Sequence, residues 1–519
     1  MGNIKSLAGD TIIYGVSTIL GRLLNWLLFP LYLRTLSIPD NGVLTYLYAI
    51  VAIVQIIMSF GFETSFFRFA KTHGVKVVFS TLFSFIVVFS LLFLVVILFN
   101  AEFVSAFVDL PGKTDLILYV VGILVFDAIA NLPFSILRYE NKSLKYAFLR
   151  FTQIIVIVSF NLLFLLLIPY LLRSSGNVYL YKIFTDNGLS FVFLSNLIGS
   201  FFVLFFLYRE ILDNFVKPDF KLFKLIWHYS LPILLVGIFG MINLNADKLI
   251  LPHIVDDVDN FKQLGIYGAN FKIGVLMALF TQSFRLAFEP FFFKNSHESN
   301  IQNTYADVLK YFVAFGMIIF LGVTLFMDVI NLLLTKDYLE GNIVIPFVLL
   351  GQLFFGVYYS LSLWYKLTDK TWLGMYFTLI GLVITLVGNI IFVPIYGYIG
   401  AAVTGFLSYF SMALISYFVG QRYYRVPYDL KIIMTYILSG LFIFLINYYI
   451  NFINLLFEIS FNAILFLLFF LILYIKDGKS LKLKLLQRRN QPYLLTIRSI
   501  GKFHLASETK ISKHENSSH

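Results

Sequence analysis

Runs of about twenty apolar residues follow one another along almost the whole chain, and the charges collect in short segments between them. A helix needs about 20 such residues to cross a hydrocarbon core of about 30 Å. Inside lipid every backbone N–H and C=O must be paired within the protein, so only helices and closed barrels span it. The runs are continuous and do not alternate with a period of two, which excludes a transmembrane β-barrel. Breaking the chain at charges, Pro and Gly clusters gives about fourteen spans: 9–33, 42–67, 78–99, 115–137, 146–171, 188–208, 228–251, 264–292, 308–330, 342–365, 371–393, 397–420, 430–450 and 455–475. The expected fold class is therefore an all-α polytopic membrane protein. The chain is 59% hydrophobic and 13% charged, against about 45–50% and about 25% in soluble domains, so its length counts in spans.

The segments between spans fix an orientation. One set is basic: Arg68/Lys71/Lys76, Arg138/Lys142/Lys145, Lys217/Lys221/Lys224, Lys294/Lys310, Lys366/Lys370 and Arg422/Arg425/Lys431. The alternate set is acidic: Glu102/Asp109/Asp115, Asp256/Asp257/Asp259 and Asp337/Glu340. Positive loops stay in the cytoplasm, so both termini are expected inside a bacterial cytoplasmic (inner) membrane. The formal charge of +11 is concentrated at the end, where ten Lys/Arg and three acids lie between Lys476 and His519. Beside a membrane domain such a tail reads as a contact to anionic headgroups, not to nucleic acid. The apolar run after MGNIKSLAGD is too long for a signal h-region and suits an uncleaved first span. Segment Lys217–His228 places Phe220, Phe223, Leu225 and Ile226 against three lysines, and reads as an amphipathic interfacial helix.

Two motifs repeat. GFETSFFRF (Gly61–Phe69) ends the second span, and FRLAFEPFFFK (Phe284–Lys294) ends the eighth. Each carries a Glu and, five residues on, a cation: Glu63 with Arg68, Glu289 with Lys294. Gly42 and Tyr46 upstream have counterparts in Gly265 and Tyr267. A duplication with a period of six spans marks a transporter built from two halves around a central site. The repeat reads as a pair of inner-gate elements, with Arg68 and Lys294 at the cytoplasmic edge.

Ionisable residues inside a membrane are costly and mark pathways or paired sites. Arg22 lies in span one, Glu63 in two, Asp127 in four, Asp247 and Lys248 in seven, and Lys272, Arg285 and Glu289 in eight. All but Asp127 fall in the first two spans of each half, where Asn25, Asn243 and Asn245 also lie. These four helices are expected to line a hydrated cavity. Arg22, Asn25, Asn243, Asn245, Lys248, Lys272 and Arg285 are its candidate substrate contacts. Glu63, Asp127, Asp247 and Glu289 are candidates for a gate or for binding a coupling ion, H⁺ or Na⁺, which shifts two states only through differential affinity. The bland alternatives are an intrahelical Arg285–Glu289 pair and an Asp247–Lys248 pair at the end of its span. No cysteine, Walker A motif or HExxH spacing is present, so no resident cofactor or metal is expected and ATP does not drive this chain directly. DDVD at Asp256–Asp259 reads as a solvated acidic loop.

Thr35–Ala70 and Asn245–Phe293 resemble oligosaccharide flippases of the Wzx type, polysaccharide biosynthesis proteins of the multidrug/oligosaccharidyl-lipid/polysaccharide exporter superfamily. The resemblance runs over about residues 8–475. It implies two pseudo-symmetric six-helix lobes plus two C-terminal helices, around a V-shaped cavity open to each side in turn. The domains are then 1–212 (N-lobe), 213–227 (amphipathic linker), 228–420 (C-lobe), 421–476 (two extra spans) and 477–519 (basic tail). The implied substrate is an undecaprenyl-pyrophosphate-linked glycan, a precursor of O-antigen, capsule or another surface polysaccharide, moved to the periplasmic leaflet. Membrane lipids and other polysaccharide-assembly proteins are the implied partners. Asp247, Lys248, Lys272, Arg285 and Glu289 match the family's seventh- and eighth-helix pattern and are placed at the cavity by it. The alternatives are a lipid II-type flippase, a cation-coupled multidrug antiporter, which wants a mainly acidic cavity, and a glycan polymerase, which wants large outer loops. The longest connection on the acidic side, Leu172–Leu189, is short for the last.

Overall fold

The computed structural model describes residues 21–476 apart from 22, 25, 256–259, 296–300, 363, 366, 367, 369, 371, 451–453 and 455, and the side chains of 287 and 289–295. Every regular element among the described residues is helical, and thirteen helical segments are long and apolar enough to cross a membrane. They coincide with the second to fourteenth expected spans. The first falls mainly on residues outside the described set. Its end appears as α1 (Phe29–Thr35).

The chain divides into two compact units. One comprises residues 1–312 with 327–427, the other residues 313–326 with 428–519. The first unit holds both expected six-span sets. Its first set comprises α2 (Ile38–Ser59), α3 (Phe62–His73), α4 (Val75–Phe99), α5 (Thr114–Tyr139), α6 (Ser143–Leu162) and α7 (Gly188–Phe206). Its second set comprises α8 (Phe220–Ile254), α9 (Asn260–Asn295), the start of α10 (Ile301–Thr324), α11 (Val344–Leu361), α12 (Trp372–Tyr396) and α13 (Tyr398–Tyr423). In the second unit, α14 (Leu430–Tyr449) and α15 (Leu456–Lys476) pack on the last turns of α10. Phe320 meets Phe444 at 5.5 Å between ring centroids, and Asn462 Nδ2 donates to the carbonyl of Leu325 at 2.8 Å.

Local sequence explains the element ends that matter. Ser37 caps α2, accepting the Asp40 N–H at 3.2 Å, with Pro39 in the first turn where its missing N–H costs nothing. At the other end Phe60 and Gly61 are both left-handed, with φ of 50° and 65°. Two such residues cannot continue an α-helix. The second span is therefore broken, and GFETSFFRF begins a new helix, α3, with Glu63 in its first turn.

The segment expected as a separate interfacial helix is instead split. Residues 215–219 are extended and docked on α4, the Val216 and Asp219 N–H groups donating to Ser80 Oγ (2.8 Å) and Thr81 Oγ1 (2.9 Å). Asp219 then caps α8, which runs without interruption to Ile254. Leu222, Ile226 and Leu234 of α8 join the buried core of the first set, beside Phe62, Phe79 and Leu82, while Leu251 joins that of the second. One helix thus belongs to both cores.

The two sets touch most closely where α2 crosses α9, at the end of the bundle that carries the acidic loops. A Cβ on Gly42 would fall on the carbonyl oxygen of Phe261, and one on Gly265 on that of Ile38. Glycine lets helix backbones approach to contact in a membrane. The two glycines that the repeat pairs in sequence are the two that meet in space.

Candidate functional site

Around that crossing the sets are joined by polar contacts. Asn41 Nδ2 on α2 donates to the hydroxyl of Tyr338, and Asn270 Nδ2 on α9 donates to the Tyr338 carbonyl, each at 2.9 Å. His253, in the last turn of α8, has Nδ1 at 2.7 Å from Asp109 Oδ2 and Nε2 at 3.0 Å from the hydroxyl of Tyr46. These contacts tie the two sets together at the acidic end.

Toward the basic end lies a cavity of about 900 Å³. Its walls come from α8, α11, α12 and α13, with Ile56 of α2 and Arg285 of α9 at its edge. Phe355, Tyr358, Tyr359, Tyr365, Trp372 and Tyr409 make it aromatic. Arg285 Nη1 donates to the hydroxyl of Tyr359 at 2.7 Å, and its guanidinium sits 4.6 Å from the centroid of the same ring. Such a stacked, hydrogen-bonded guanidinium is held in place by the ring.

The cavity departs from the sequence expectation in part. Four helices, from spans one, two, seven and eight, were to line it; among the described residues span seven does so along much of its length, with Ile56 of span two and Arg285 of span eight, and spans ten, eleven and twelve supply about half of the wall. The reason is physical: those three spans carry hydroxyls and aromatic rings but almost no charge, so a search for intramembrane charge passes over them. The segment YYSLSLWYK (Tyr358–Lys366) was the available signal, with three tyrosines and a tryptophan at the end of one span.

The candidate contacts separate accordingly. Asn243 and Arg285 line the cavity. Asn243 Oδ1 accepts from Thr385 Oγ1 at 2.6 Å, which fixes its amide at the cavity's deep end. Asn245 turns back on its own helix, donating to the carbonyl of Met241 at 3.0 Å. Lys248 is sealed away from the large cavity. Its Nζ lies 3.1 Å from both carboxylate oxygens of Asp247 and 3.9 Å from the centroid of Phe271, and both residues are only 7% exposed. Tyr267 donates a further short hydrogen bond to Asp247. A buried charge is tolerated when it is paired and hydrogen-bonded in this way. A small space of about 30 Å³ beside Asp247, Gln352 and Thr385 holds about one water's volume. Lys272 Nζ lies 5.3 Å and 5.7 Å from the ring centroids of Phe29 and Tyr32, on the α1 side of α9, and its carbonyl accepts from Trp26 Nε1 at 3.0 Å. Arg22 and Asn25 lie outside the described residues.

Among the candidate gate and ion residues, Glu63 Oε1 accepts from Arg138 Nη2 at 2.6 Å. That partner belongs to α5 of the same set. Arg68 is more than a surface anchor: its guanidinium lies 4.2 Å from the ring centroid of Tyr229 on α8. Beside it Ser65 and Ser230 share a 2.6 Å hydrogen bond. Asp127 lies close to Ser200, Gln153 and Arg150. Arg150, a cation within span five that the charge survey omitted, donates to Gln153 Oε1 at 3.2 Å and lies 3.9 Å from the ring centroid of Phe134. The side chains of Glu289 and Lys294 lie outside the described set. No group of three or more His, Asp or Glu among the described residues is placed to hold a metal ion.

Helical spans in two sets, with a cavity toward one end, make a multi-pass membrane fold that is also found in a lipid flippase and in multidrug exporters of solved structure. The solved structure of "Lipid II flippase MurJ, inward closed conformation" is similar with a TM-score of 0.69 and 18% identity, over 90% of this chain and 99% of that one. An inward-facing multidrug resistance MATE family transporter is similar at 0.62 and 10% identity, over 78% and 94%. At these identities the likeness concerns the fold. The family is set by sequence: the pattern of the polysaccharide biosynthesis proteins matches residues 7–296, more than half of the chain, and the protein belongs to that family. "Lsg locus putative protein 1" of Haemophilus influenzae is 21% identical over 55% of this chain and 65% of its own, so the match spans just under two thirds of that relative. "Capsular polysaccharide biosynthesis protein CapF" of Staphylococcus aureus is 25% identical over 61% of this chain and 77% of its own.

Proposed function

We propose that the protein flips an undecaprenyl-pyrophosphate-linked oligosaccharide from the cytoplasmic to the periplasmic leaflet by alternating access. The basic end of the bundle faces the cytoplasm, as the positive-inside rule requires. The observation that carries the reading is the cavity: about 900 Å³, entered from the basic side, with Arg285 fixed on Tyr359 at its edge. The cavity offers an anionic polar head a cation and hydroxyls. Lys272 is a second cation on α9, on its α1 side.

A cation-coupled drug exporter fits less well. It needs an acid free to hold its cargo or coupling ion, and Asp247, which borders the cavity region, already carries the ammonium of Lys248. Glu63 is likewise held by Arg138. Asp127 remains the candidate for a coupling H⁺ or Na⁺: Arg150 lies near it, but the Arg150 guanidinium donates to Gln153 and stacks on Phe134.

The test is complementation of a strain that lacks its own polysaccharide flippase, with surface glycan and membrane protein level measured together. Arg22→Ala and Arg285→Ala are each expected to lower glycan while protein level holds. Full glycan in both variants removes the cationic-cavity reading.

A further inference from the structure

We propose that His253 is a proton-binding site that sets how firmly the acidic end of the bundle closes, its imidazolium pairing with Asp109 across the two sets. The inference rests on the alternating-access reading and adds a ligand, H⁺ from the acidic side, that regulates it.

Geometry carries it. His253 stands in the last turn of α8, beside Leu251, which joins the core of the second set. Both ring nitrogens meet groups of the first set. Nδ1 lies 2.7 Å from Asp109 Oδ2, and Nε2 lies 3.0 Å from the hydroxyl of Tyr46 on α2. One partner is an acid and the other a hydroxyl, which donates or accepts. The neutral ring donates from Nδ1 to Asp109 and accepts from Tyr46. The imidazolium donates to both, so the site holds either form without losing a hydrogen bond. What protonation adds is charge, which turns the bond to Asp109 into a charge-assisted pair. That gain exists only while the sets touch, because the two residues lie on opposite sides of the contact.

Asp109 is presented by a fixed turn. Its φ is 55°, in the left-handed region where Asp and Asn are enriched. The Asp109 and Leu110 N–H groups close the turn on the carbonyls of Ala106 (3.1 Å) and Ser105 (2.9 Å), and Leu110 is buried in the core of the first set. The side chains of His253 and Asp109 are 38% and 63% exposed, so protons reach the pair from water. Among the described residues Asp109 and Tyr46 are the titratable groups that face the imidazole. Phe261 of α9 meets Tyr46 edge-on and brings no charge. The other charges at this end have other neighbours: Lys113 pairs with Asp40, Ser190 donates to Asp115, and Glu340 stands by Tyr398. Asp256, Asp257 and Asp259 follow His253 in the chain and lie outside the described residues.

A group that holds its proton more tightly in one of two states favours that state at low pH and stops favouring it as the pH rises through its range. An imidazole changes charge between about pH 5 and 8. Closure of the acidic end is therefore favoured at the bottom of that range and loosened at the top. The factor is about two- to fivefold, as for other partly exposed pairs. The proton enters and leaves on the acidic side, so it regulates closing and is not the ion carried across.

The chain has no cysteine, so two introduced thiols take two spin labels and nothing else is marked. Phe103→Cys is exposed on the short helix Ala101–Phe107 of the first set, and Tyr396→Cys is exposed at the end of α12 in the second. The full-length protein is placed in lipid nanodiscs, where both faces meet one pH. The label-to-label distance is measured by pulsed electron paramagnetic resonance from about pH 5.5 to about pH 8.5. The ratio of short to long distance is expected to fall by about two- to fivefold across that window. His253→Gln should hold the ratio at its high-pH value throughout, and His253→Arg, a permanent cation, at its low-pH value. Asp109→Asn, which also tolerates the left-handed turn, should remove the pH dependence with the imidazole intact. A ratio that rises with pH overturns the proposal. Dependence that survives Asp109→Asn assigns the titration to another group and overturns it too. A long distance that is present yet indifferent to pH sinks this inference alone. A long distance absent at every pH, in Gly265→Ala as well, removes the alternating-access reading.

Discussion

Under the proposed alternating access, Gly265→Ala is expected to open the acidic end of the helix bundle. The added methyl would fall on the carbonyl oxygen of Ile38, well inside the roughly 3.5–4.0 Å of an ordinary contact. The partner is backbone, so no rotamer change can relieve the clash, and α2 and α9 must separate by an ångström or more. Overpacking of this kind costs about 1–3 kcal/mol. The cost falls only on the state in which the helices touch, so the equilibrium moves toward the open state by roughly 5–150-fold. Helix propensity acts the other way, since Ala is better than Gly by about 1 kcal/mol; a weakened helix cannot mimic the result. The reporter is Thr45→Cys, which sits at the crossing against Gly268. Its labelling by an impermeant maleimide added from the acidic side follows the open population and is expected to rise by that factor. Gly42→Ala, which meets the Phe261 carbonyl, is expected to behave alike, and the pair to be less than additive because they share one crossing. Gly405→Ala, with open space around it, serves as the control. Unchanged labelling in both Gly42→Ala and Gly265→Ala would refute the reasoning.

Further outcomes are expected from single contacts. Lys248→Ala leaves the Asp247 carboxylate buried without its cation and should cost about 3–5 kcal/mol, seen as a large fall in thermal stability in detergent; Asp247→Asn in the same chain should restore most of it. Glu63→Gln and Arg138→Gln each break one partly exposed pair, worth about 0.2–1 kcal/mol, so stability should hardly move. Their effect on surface glycan should be equal and no larger in the double variant, and independent effects would show that the pair is not the working unit. Gly240→Phe should fill the cavity and stop transport while leaving the protein monodisperse; normal transport would mean that cargo bypasses the cavity.

Hydropathy placed the spans because the rule that makes them helices is local: a segment in lipid must satisfy its own backbone, whatever its neighbours do. Thirteen segments follow that rule at the expected positions. The same locality limited the reading of α3 and α8. The break at Phe60–Gly61 and the continuity through Phe220 depend on left-handed dihedrals and on the docking of residues 215–219 against α4, which apolarity does not encode. The repeat was legible in part. Gly42 and Gly265 were paired by sequence, but only the crossing shows that each touches the other's helix backbone.

What the chain determined by itself is the set of spans, the polarity of their ends, and the list of charges that must find partners. Only the tertiary structure decided who the partners are. Asp247 and Lys248 close on each other beneath Tyr267, Glu63 reaches Arg138, and Arg285 lies on Tyr359. About half of the cavity wall comes from spans with few charges, because tyrosine and tryptophan count as apolar in a hydropathy sum yet present hydroxyls and flat faces once helices bring them together. Charge is a property of single residues and can be read along a line; a binding surface is made by the separation of helices, and that is set by packing.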